Sequence, residues 1–591
     1  MRPTAQPAHD GEVISTCGDD TSQTHGGHPC EEEEAPPAVR RIGFYAGLAL
    51  FAVLLLMPTP ESMRAAVRER FATVLKADTE ALLRRSGEAS VSAETAAYQR
   101  AYGEAVDARA RVMLAAAAVT ALVACWWVTV ALPIAVTSLM PLTLFPIVGV
   151  MSVEDAAAPY ANSNVFLFMG GFIIAMGVER WGLHRRVALH IVRLIGTSRP
   201  NIVLGFMIAT AAISMWISNT AATLMMLPIG LAIVRAVGEL GGDAGSRQHA
   251  NFSAALMIGI AYAAGIGGLG TPIGTPPNLV FRGQMAKLFP EHAEVGFGQW
   301  MVMFVPLIAV MLPLTWLLLV RITCPVKGGQ LAAGREVIAG ELRRLGPMSR
   351  QELVMLVVFL ATALLWTGRS IPVGDANYGW SGWLELMLTP AAGPTRLFRA
   401  RYIDDATVAL VMAALLFVFP AGRNKDGSRV RLMDWRTAER LPWGILLLFG
   451  GGFCIAAGFM ASGLGSWCGQ VFAGAGIHSP LLLVLVVCGL VTFLSEISSN
   501  TALAQLMLPV LAEVSRKLGL DPLMLMLPCT ISASFGFMLP VATPPNAIVF
   551  GSGLIKMRQM VRSGFLLDIL GVILLTGFFY LLVAPLLGIR L

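Results

Sequence analysis

Charge is what this chain has least of. Only 14% of its 591 residues are Asp, Glu, Lys or Arg, whereas 55% are hydrophobic and the mean hydropathy is +0.68. Soluble domains carry about a quarter of their residues charged, so a soluble globular protein is excluded. Apolar runs of about 20 residues, the length that crosses hydrocarbon, recur along the chain. Such runs satisfy their own backbone polar groups as helices, and the class read from composition is an all-α polytopic membrane protein. Cysteine patterning is lacking as well. Eight cysteines are scattered, four of them (Cys125, Cys454, Cys488 and Cys529) inside apolar runs, with no CxxC or metal-ligand spacing; they read as buried free thiols. No nucleophile and base stand together, which argues against an enzyme. The net charge of +6 is modest and no sign of nucleic acid; its placement in loops says more. Residues 1–41 lack the order of a signal peptide and, with the acidic run Glu31 to Glu34, read as a disordered cytoplasmic tail.

What is present is a duplication. Ser218-Asn219-Thr220 recurs as Ser499-Asn500-Thr501, 281 residues later (499 − 218). At that same offset Phe168 maps to Phe449, Gly170-Gly171-Phe172 to Gly451-Gly452-Phe453, Ser214 to Ser495, and Leu227-Pro228 to Leu508-Pro509. Each copy is followed by Thr-Pro-Pro-Asn, at Thr275 to Asn278 and Thr543 to Asn546. Two homologous halves therefore build one site.

In chain order, residues 42–111 read as a first span and an external insert, residues 112–350 as the first repeat, and residues 351–591 as the second. The arms flanking each Ser-Asn-Thr are short for a span, which predicts re-entrant hairpins over residues 202–234 and 481–512. His184 and His190, in the basic stretch after the first Gly-Gly-Phe segment, read as surface residues of an interfacial helix. That segment is followed by its basic cluster (Arg180, Arg185, Arg186, Arg193, Arg199), whereas the second is preceded by one (Arg423 to Arg440). With basic loops inside, the two copies run in opposite directions. The expectation is an inverted repeat with a cytoplasmic N-terminus and an external C-terminus.

Inverted repeats with interrupted helices are the architecture of secondary transporters, with substrate and ions near the midplane. A Ser-Asn-Thr at a hairpin tip offers hydroxyls, an amide and the free N–H groups of a helix start, a setting for an anion. Its carbonyl and side-chain oxygens suit a hard cation such as Na⁺. No Lys or Arg lies between Pro200 and Val234 or between Pro480 and Val510, so helix ends and bound cations must meet the charge of a dianion. Asn278 and Asn546 either join the site or hold broken backbone. Glu496 is the one acid in its hairpin, a candidate for a proton or cation role or a hydrogen-bonded structural carboxyl.

The stretch Ala533-Ser534-Phe535-Gly536-Phe537-Met538-Leu539-Pro540-Val541-Ala542-Thr543-Pro544-Pro545-Asn546, with both Ser-Asn-Thr motifs and both Gly-Gly-Phe segments, resembles the divalent anion/sodium symporter (DASS) family from about Val112 to Leu591. The resemblance implies an elevator-type homodimer of about 11 transmembrane helices and two re-entrant hairpins. It implies Na⁺ at Ser214, Ser218, Asn219 and Gly274 in one half and at Ser495, Ser498, Asn500 and Ala542 in the other, Ser495 standing where the family often has Thr. Substrate would meet Ser218, Asn219, Thr220, Thr275 and Pro276 from one side and Ser499, Asn500, Thr501, Thr543 and Pro544 from the other. The implied function is Na⁺-coupled import of a C4-dicarboxylate such as succinate, malate or fumarate. Sulfate or citrate symport and dicarboxylate exchange stay open, as does, from another class, a passive anion channel.

Overall fold

The computed structural model describes residues 36–85, 96–196, 198–241, 246–292, 294–327, 332–373, 376–388, 399, 402–423, 429–473 and 479–589. The N-terminal tail, with Cys17 and Cys30, lies outside the described residues. Among the described residues nine helices are long and apolar enough to cross a membrane, and five shorter apolar helices, including Arg199–Ser214 and Pro480–Ser495, accompany them. The remaining six cysteines are free. The two short β-hairpins, Pro372–Val373 with Ala376–Asn377 and Pro420–Arg423 with Arg429–Arg431, are loop ornaments.

The duplication is carried into three dimensions by local chemistry. Each hairpin's first arm starts with a serine cap: Ser198 Oγ accepts from Asn201 N at 3.3 Å and Ser479 Oγ from Leu482 N at 3.4 Å, satisfying helix-start donors that would otherwise be orphaned. The second arms, Asn219–Gly241 and Asn500–Leu518, each enclose the paired proline, Pro228 or Pro509. Both run past the apolar stretch read from sequence, because Arg235, Ala236 and Glu239 in one and Glu513, Arg516 and Lys517 in the other continue as good helix formers once apolar residues give out. The first hairpin therefore spans residues 199–241 rather than 202–234, and the second 480–518 rather than 481–512. The second arm of the first hairpin is long enough to cross a bilayer by itself, contrary to the expectation of two short arms.

The two Gly-Gly-Phe helices, Ser163–Arg180 and Trp443–Ser462, meet at equivalent residues: the rings of Phe168 and Phe449 lie 5.0 Å apart at 89°. Glycine makes the crossings possible. A Cβ on Gly170 would lie 2.8 Å from the Ala409 backbone carbon, and one on Gly451 2.5 Å from Ser138 O, so one helix takes the backbone of Asp405–Val418 against its glycine and the other the turn after Ile134–Thr137.

Two broken helices complete the halves. Arg247–Gly268 resumes as Pro276–Leu288, and Leu523–Ser532 resumes as Pro544–Phe550. A proline pair opens each second piece, where a missing N–H costs nothing. From Phe252 to Gly268 every residue of the first broken helix is buried, so it runs through the centre of the protein. By contrast Pro37–Leu56 and Arg350–Gly368 leave most of their apolar surface exposed, as lipid-facing helices do.

The insert forms two helices, Glu61–Arg70 and Ala72–Arg85, and then merges into a single 34-residue helix, Ala96–Thr129. It docks on the helix Leu464–Ala473 and on the base of the second hairpin: Arg70 Nη1 donates to Ser466 Oγ at 2.6 Å, and Lys517 Nζ pairs with Glu69 at 2.5 Å. His184 departs from its reading as a surface residue. The amphipathic helix Leu183–Ile195 turns it inward, its Nδ1 lies 3.0 Å from Val178 O, and burial pushes its imidazole below the usual range. His190 is exposed as expected.

Candidate functional site

The tip of the first hairpin is a turn of four residues, Met215 to Ser218, after which Asn219 begins the second arm. Ser218 caps that arm by accepting from Ala221 N at 3.2 Å, and Thr223 Oγ1 donates to Asn219 O at 2.8 Å. The Asn219 side chain is thereby aimed at the break of the central helix. Its amide faces Ser214 Oγ at 2.7 Å, Ala264 O at 3.1 Å and Gly274 O at 3.3 Å. With the amide nitrogen inward, it donates to all three. With the amide oxygen inward, it accepts from Ser214 Oγ and lies beside the Ala264 and Gly274 carbonyls, four neutral oxygens of the kind that suit Na⁺. The approach needs glycine twice: a Cβ on Gly274 would lie 2.5 Å from Gly268 O, and one on Gly268 would lie 2.6 Å from Asn219 Oδ1. Thus Ser214, Asn219 and Gly274 come together as the resemblance implied, joined by the Ala264 carbonyl, which sequence reading missed because a backbone oxygen leaves no mark in the residue type.

Ser218 also borders a crevice between the hairpin tip and the first Gly-Gly-Phe helix, lined by Phe168, Gly171, Phe172, Trp216 and Ile273. Its free volume of about 10 Å³ is room for about one water. Thr220 and Pro276 are half-buried and Thr275 is buried at the start of the resumed helix.

The second half repeats the frame with different contents. Asn500 begins the second arm and its Oδ1 is buried with no donor among the described residues. Ser495 Oγ bonds back to Thr492 O at 2.7 Å, and Ser498 Oγ to Leu494 O at 2.7 Å, so neither hydroxyl reaches Asn500. Ser499 caps no N–H with its side chain. Ser495 does meet the broken segment: a Cβ on Gly536 would touch Ala542 Cβ at 3.1 Å, Ser495 O at 3.4 Å and Thr543 Cγ2 at 3.4 Å. Thr501 is buried, Thr543 half-buried and Pro544 exposed.

The two asparagines of the Thr-Pro-Pro-Asn motifs resolve their alternative readings alike. Asn278 Nδ2 donates to Gly268 O at 3.1 Å and Thr271 O at 2.8 Å; Asn546 Nδ2 donates to Gly536 O at 3.0 Å and Leu539 O at 3.0 Å. In both halves the carbonyls lie ten and seven residues upstream. Each amide holds carbonyls of the broken segment that a continuous helix would have satisfied.

Glu496 does the corresponding service on the other side of the second break. It accepts from Met538 N at 2.8 Å and from Leu539 N at 2.9 Å. Its neighbour is Asp568 of the last long helix, Met557–Phe578, a fully buried acid that sequence reading passed over. The signal was there: an Asp within the apolar run Phe565 to Leu575. Also missed was an ion network on the flank of the resumed helix, in which Arg282, Arg369 and Asp405 are buried and Glu294 is exposed. Arg282 pairs with Asp405 at 2.8 Å and with Glu294, and Arg369 pairs with Asp405 at 2.5 Å and Glu294 at 3.4 Å. It ties the first broken helix to the helix ends at residues 369 and 405.

Comparison with known proteins gives the family. Residues 103–588 match the family model described as the sodium:sulfate symporter transmembrane region. The protein named sodium-dependent dicarboxylate transporter SdcS of Staphylococcus saprophyticus is 43% identical over 473 residues, covering 80% of this chain and 86% of that one. Its namesake in Staphylococcus aureus is 41% identical over 474 residues, with the same coverage. Among solved structures, the MtrF protein of Neisseria gonorrhoeae superposes with a TM-score of 0.48 at 15% identity, covering 72% of this chain and 82% of that one. With the family model matched along most of its length, this chain belongs to the sodium:sulfate symporter family, the divalent anion/sodium symporters.

Proposed function

We propose that this protein imports C4-dicarboxylates such as succinate, malate and fumarate, driven by co-transported Na⁺. The observation that carries the reading is the oxygen cluster of Ser214, Asn219, Ala264 and Gly274 at a hairpin tip whose following helix start can face an anion. The similarity to proteins named sodium-dependent dicarboxylate transporters supports the substrate class. One Na⁺ is held by Ser214, Ser218, Asn219 and Gly274, and a second by Ser495, Ser498, Asn500 and Ala542. The bound cations offset the charge of the two carboxylates, which meet Asn219, Thr220 and Thr275 from one half and Asn500, Thr501 and Thr543 from the other. Residues 112–350 and 351–591 form inverted repeats within about 11 spans, with the N-terminus cytoplasmic and the C-terminus external. The hairpins and broken helices move together past a dimeric scaffold, an elevator. Succinate uptake into proteoliposomes tests this: it is expected to require an inward Na⁺ gradient and to be blocked by malate but not by sulfate. Competition by sulfate alone would overturn the substrate class, Na⁺-independent uptake that needs internal dicarboxylate would make the protein an exchanger, and flux indifferent to both would make it a channel.

A further inference from the structure

The family model begins at residue 103, so the insert helices Glu61–Arg70 and Ala72–Arg85 lie outside it. On one side they are fastened to the long helix Ala96–Thr129. Met63, Val67 and Leu75 are buried in one apolar cluster with Val106, Ala110 and Met113. Two ion pairs close its edge, Arg64 Nε with Asp107 at 2.7 Å and Arg109 Nε with Asp78 at 2.6 Å.

On the other side the insert grips the lead-in helix Leu464–Ala473 and the second hairpin through polar atoms. Trp467 Nε1 donates to Ser62 Oγ at 3.1 Å, Arg70 Nη1 to Ser466 Oγ at 2.6 Å, and Gln470 Nε2 to Glu69 Oε2 at 2.7 Å. On the hairpin itself, Lys517 Nζ pairs with Glu69 Oε1 at 2.5 Å, and Arg70 Nη1 lies 3.7 Å from Glu513 Oε2. Phe71, at the break between the insert helices, lies over Gly463, where a Cβ would come within 2.7 Å of its ring. Glu513 is buried, and its other oxygen pairs with Arg516 at 2.6 Å. Arg516 in turn donates to Leu288 O and lies over the ring of Phe289, 4.4 Å from its centroid. One line of contacts thus runs from the insert, through the base of the second hairpin, to the end of the first resumed helix.

The two sides differ in kind. Burying full-size apolar side chains binds strongly, so the insert stays on its own helix. Exposed ion pairs are weak, and the Glu69 and Lys517 side chains are 60% and 38% exposed. Glu513 keeps Arg516 when Arg70 withdraws, so opening the contact leaves no buried charge bare. This is a grip that can be released and remade. In the elevator reading, helix Ala96–Thr129 belongs to the scaffold and the hairpin to the part that moves, so the polar contacts cross the boundary between them.

We propose that the insert is a strap that holds the second hairpin in the arrangement seen here, and that Glu69 and Arg70 release Lys517 and Glu513 each time the hairpins travel. The inference rests on the elevator reading under Proposed function. Only hydrogen bonds and ion pairs change, and water takes up the freed charges.

The test joins Glu69→Cys to Lys517→Cys, in protein carrying Cys17→Ser and Cys30→Ser, with a short bifunctional methanethiosulfonate before reconstitution. Na⁺-driven succinate uptake is expected to be lost on linking and restored when the link is reduced, while each single cysteine treated alike keeps its uptake. Linked protein that transports at the unlinked rate overturns the strap. A second readout needs no substrate. Spin labels on the same two cysteines, unlinked, are expected to give two distances by pulsed electron paramagnetic resonance, one matching the closed contact and one longer. A second label pair, Val128→Cys with Leu490→Cys, follows the hairpin against the scaffold away from the strap. If only the second pair shows two distances, the strap fails and the elevator stands; if neither does, the elevator reading fails and the strap with it. Absence of succinate uptake in every protein, with two distances at both pairs, counts against the proposed substrate and supports the strap.

Discussion

The two halves share a frame and differ at their centres. Ser198 and Ser479 cap the hairpins in the same way, Pro228 and Pro509 sit in the same turn, and Asn278 and Asn546 hold carbonyls at the same two distances upstream. These positions answer to backbone hydrogen bonding, which a membrane interior enforces equally on both copies. At the tips, however, Asn219 closes on Ser214, Ala264 and Gly274, whereas Asn500 Oδ1 has no donor among the described residues and Ser495 turns back on its own helix. At the 281-residue offset Met215 in one half corresponds to Glu496 in the other. Duplication supplied the architecture twice; the chemistry was then divided. The first half is built around a cluster of neutral oxygens and the second around an acid, Glu496, that holds the backbone of the broken segment.

The largest expected effect comes from the asparagines at the tips. Asn219→Ala and Asn500→Ala are each expected to lower Na⁺-driven uptake by about a hundredfold or more, about 3 kcal/mol of lost binding, in protein that still folds. The division between halves sharpens this. Asn219→Ala removes an amide already set among oxygens, so its defect includes a raised Na⁺ requirement measurable by Na⁺-dependent protection from thermal unfolding. Asn500→Ala is expected to spare that protection more than it spares uptake. Full uptake in both variants would remove these residues from the site.

The second comparison concerns the frame itself. Asn278→Ala and Asn546→Ala each strand two carbonyls in buried surroundings, and an unsatisfied buried polar group costs about 1–3 kcal/mol. Both variants are expected to lose roughly 2–4 kcal/mol and to unfold at clearly lower temperature in detergent, by similar amounts. A large loss for one and none for the other would show that the shared geometry is not shared energetics.

Much of this was legible in the sequence, and the reason is physical. A hydrophobic run has a length that the bilayer dictates, a proline pair ends a helix wherever it stands, and a basic loop marks a side. Hence the repeated motifs and the two breaks could be read in advance, while the grouping of Ser214, Asn219 and Gly274 came from the family resemblance. The arms of the hairpins were read too short because hydropathy marks where a helix meets lipid, not where its hydrogen bonds stop. What stayed hidden was whatever depends on partners distant in the chain. The Ala264 carbonyl carries no signature, and His184 looks like one more residue of a basic surface. The same holds for Asp405, which Arg282 and Arg369 reach from two other helices.

The smallest effects, and the sharpest contrast of sign, are expected at paired glycines. Gly171 and Gly452 occupy the same place in the Gly-Gly-Phe motifs, and an alanine at either would gain about 0.5–1 kcal/mol from helix preference alone. At Gly171 the added Cβ meets Ile273 Cδ1 at 3.6 Å, an ordinary contact. Gly171→Ala is therefore expected to leave stability unchanged or raise it slightly. At Gly452 the Cβ would fall 1.9 Å from the Gln505 side-chain amide. That amide cannot simply swing aside: it is fully buried, its Nε2 lies 3.5 Å from Leu448 O and Phe449 O as donor, and its Oε1 accepts from Gln284 Nε2 at 3.3 Å. Gly452→Ala must break this bridge between the second hairpin, the first resumed helix and the second Gly-Gly-Phe helix, and overpacking of this kind costs about 1–3 kcal/mol. Thermal unfolding of the two variants decides the matter. Opposite shifts mean that one motif serves two different neighbours. A loss of the same size in both would mean that the crossing of the Gly-Gly-Phe helices, and not Gln505, sets the demand for glycine.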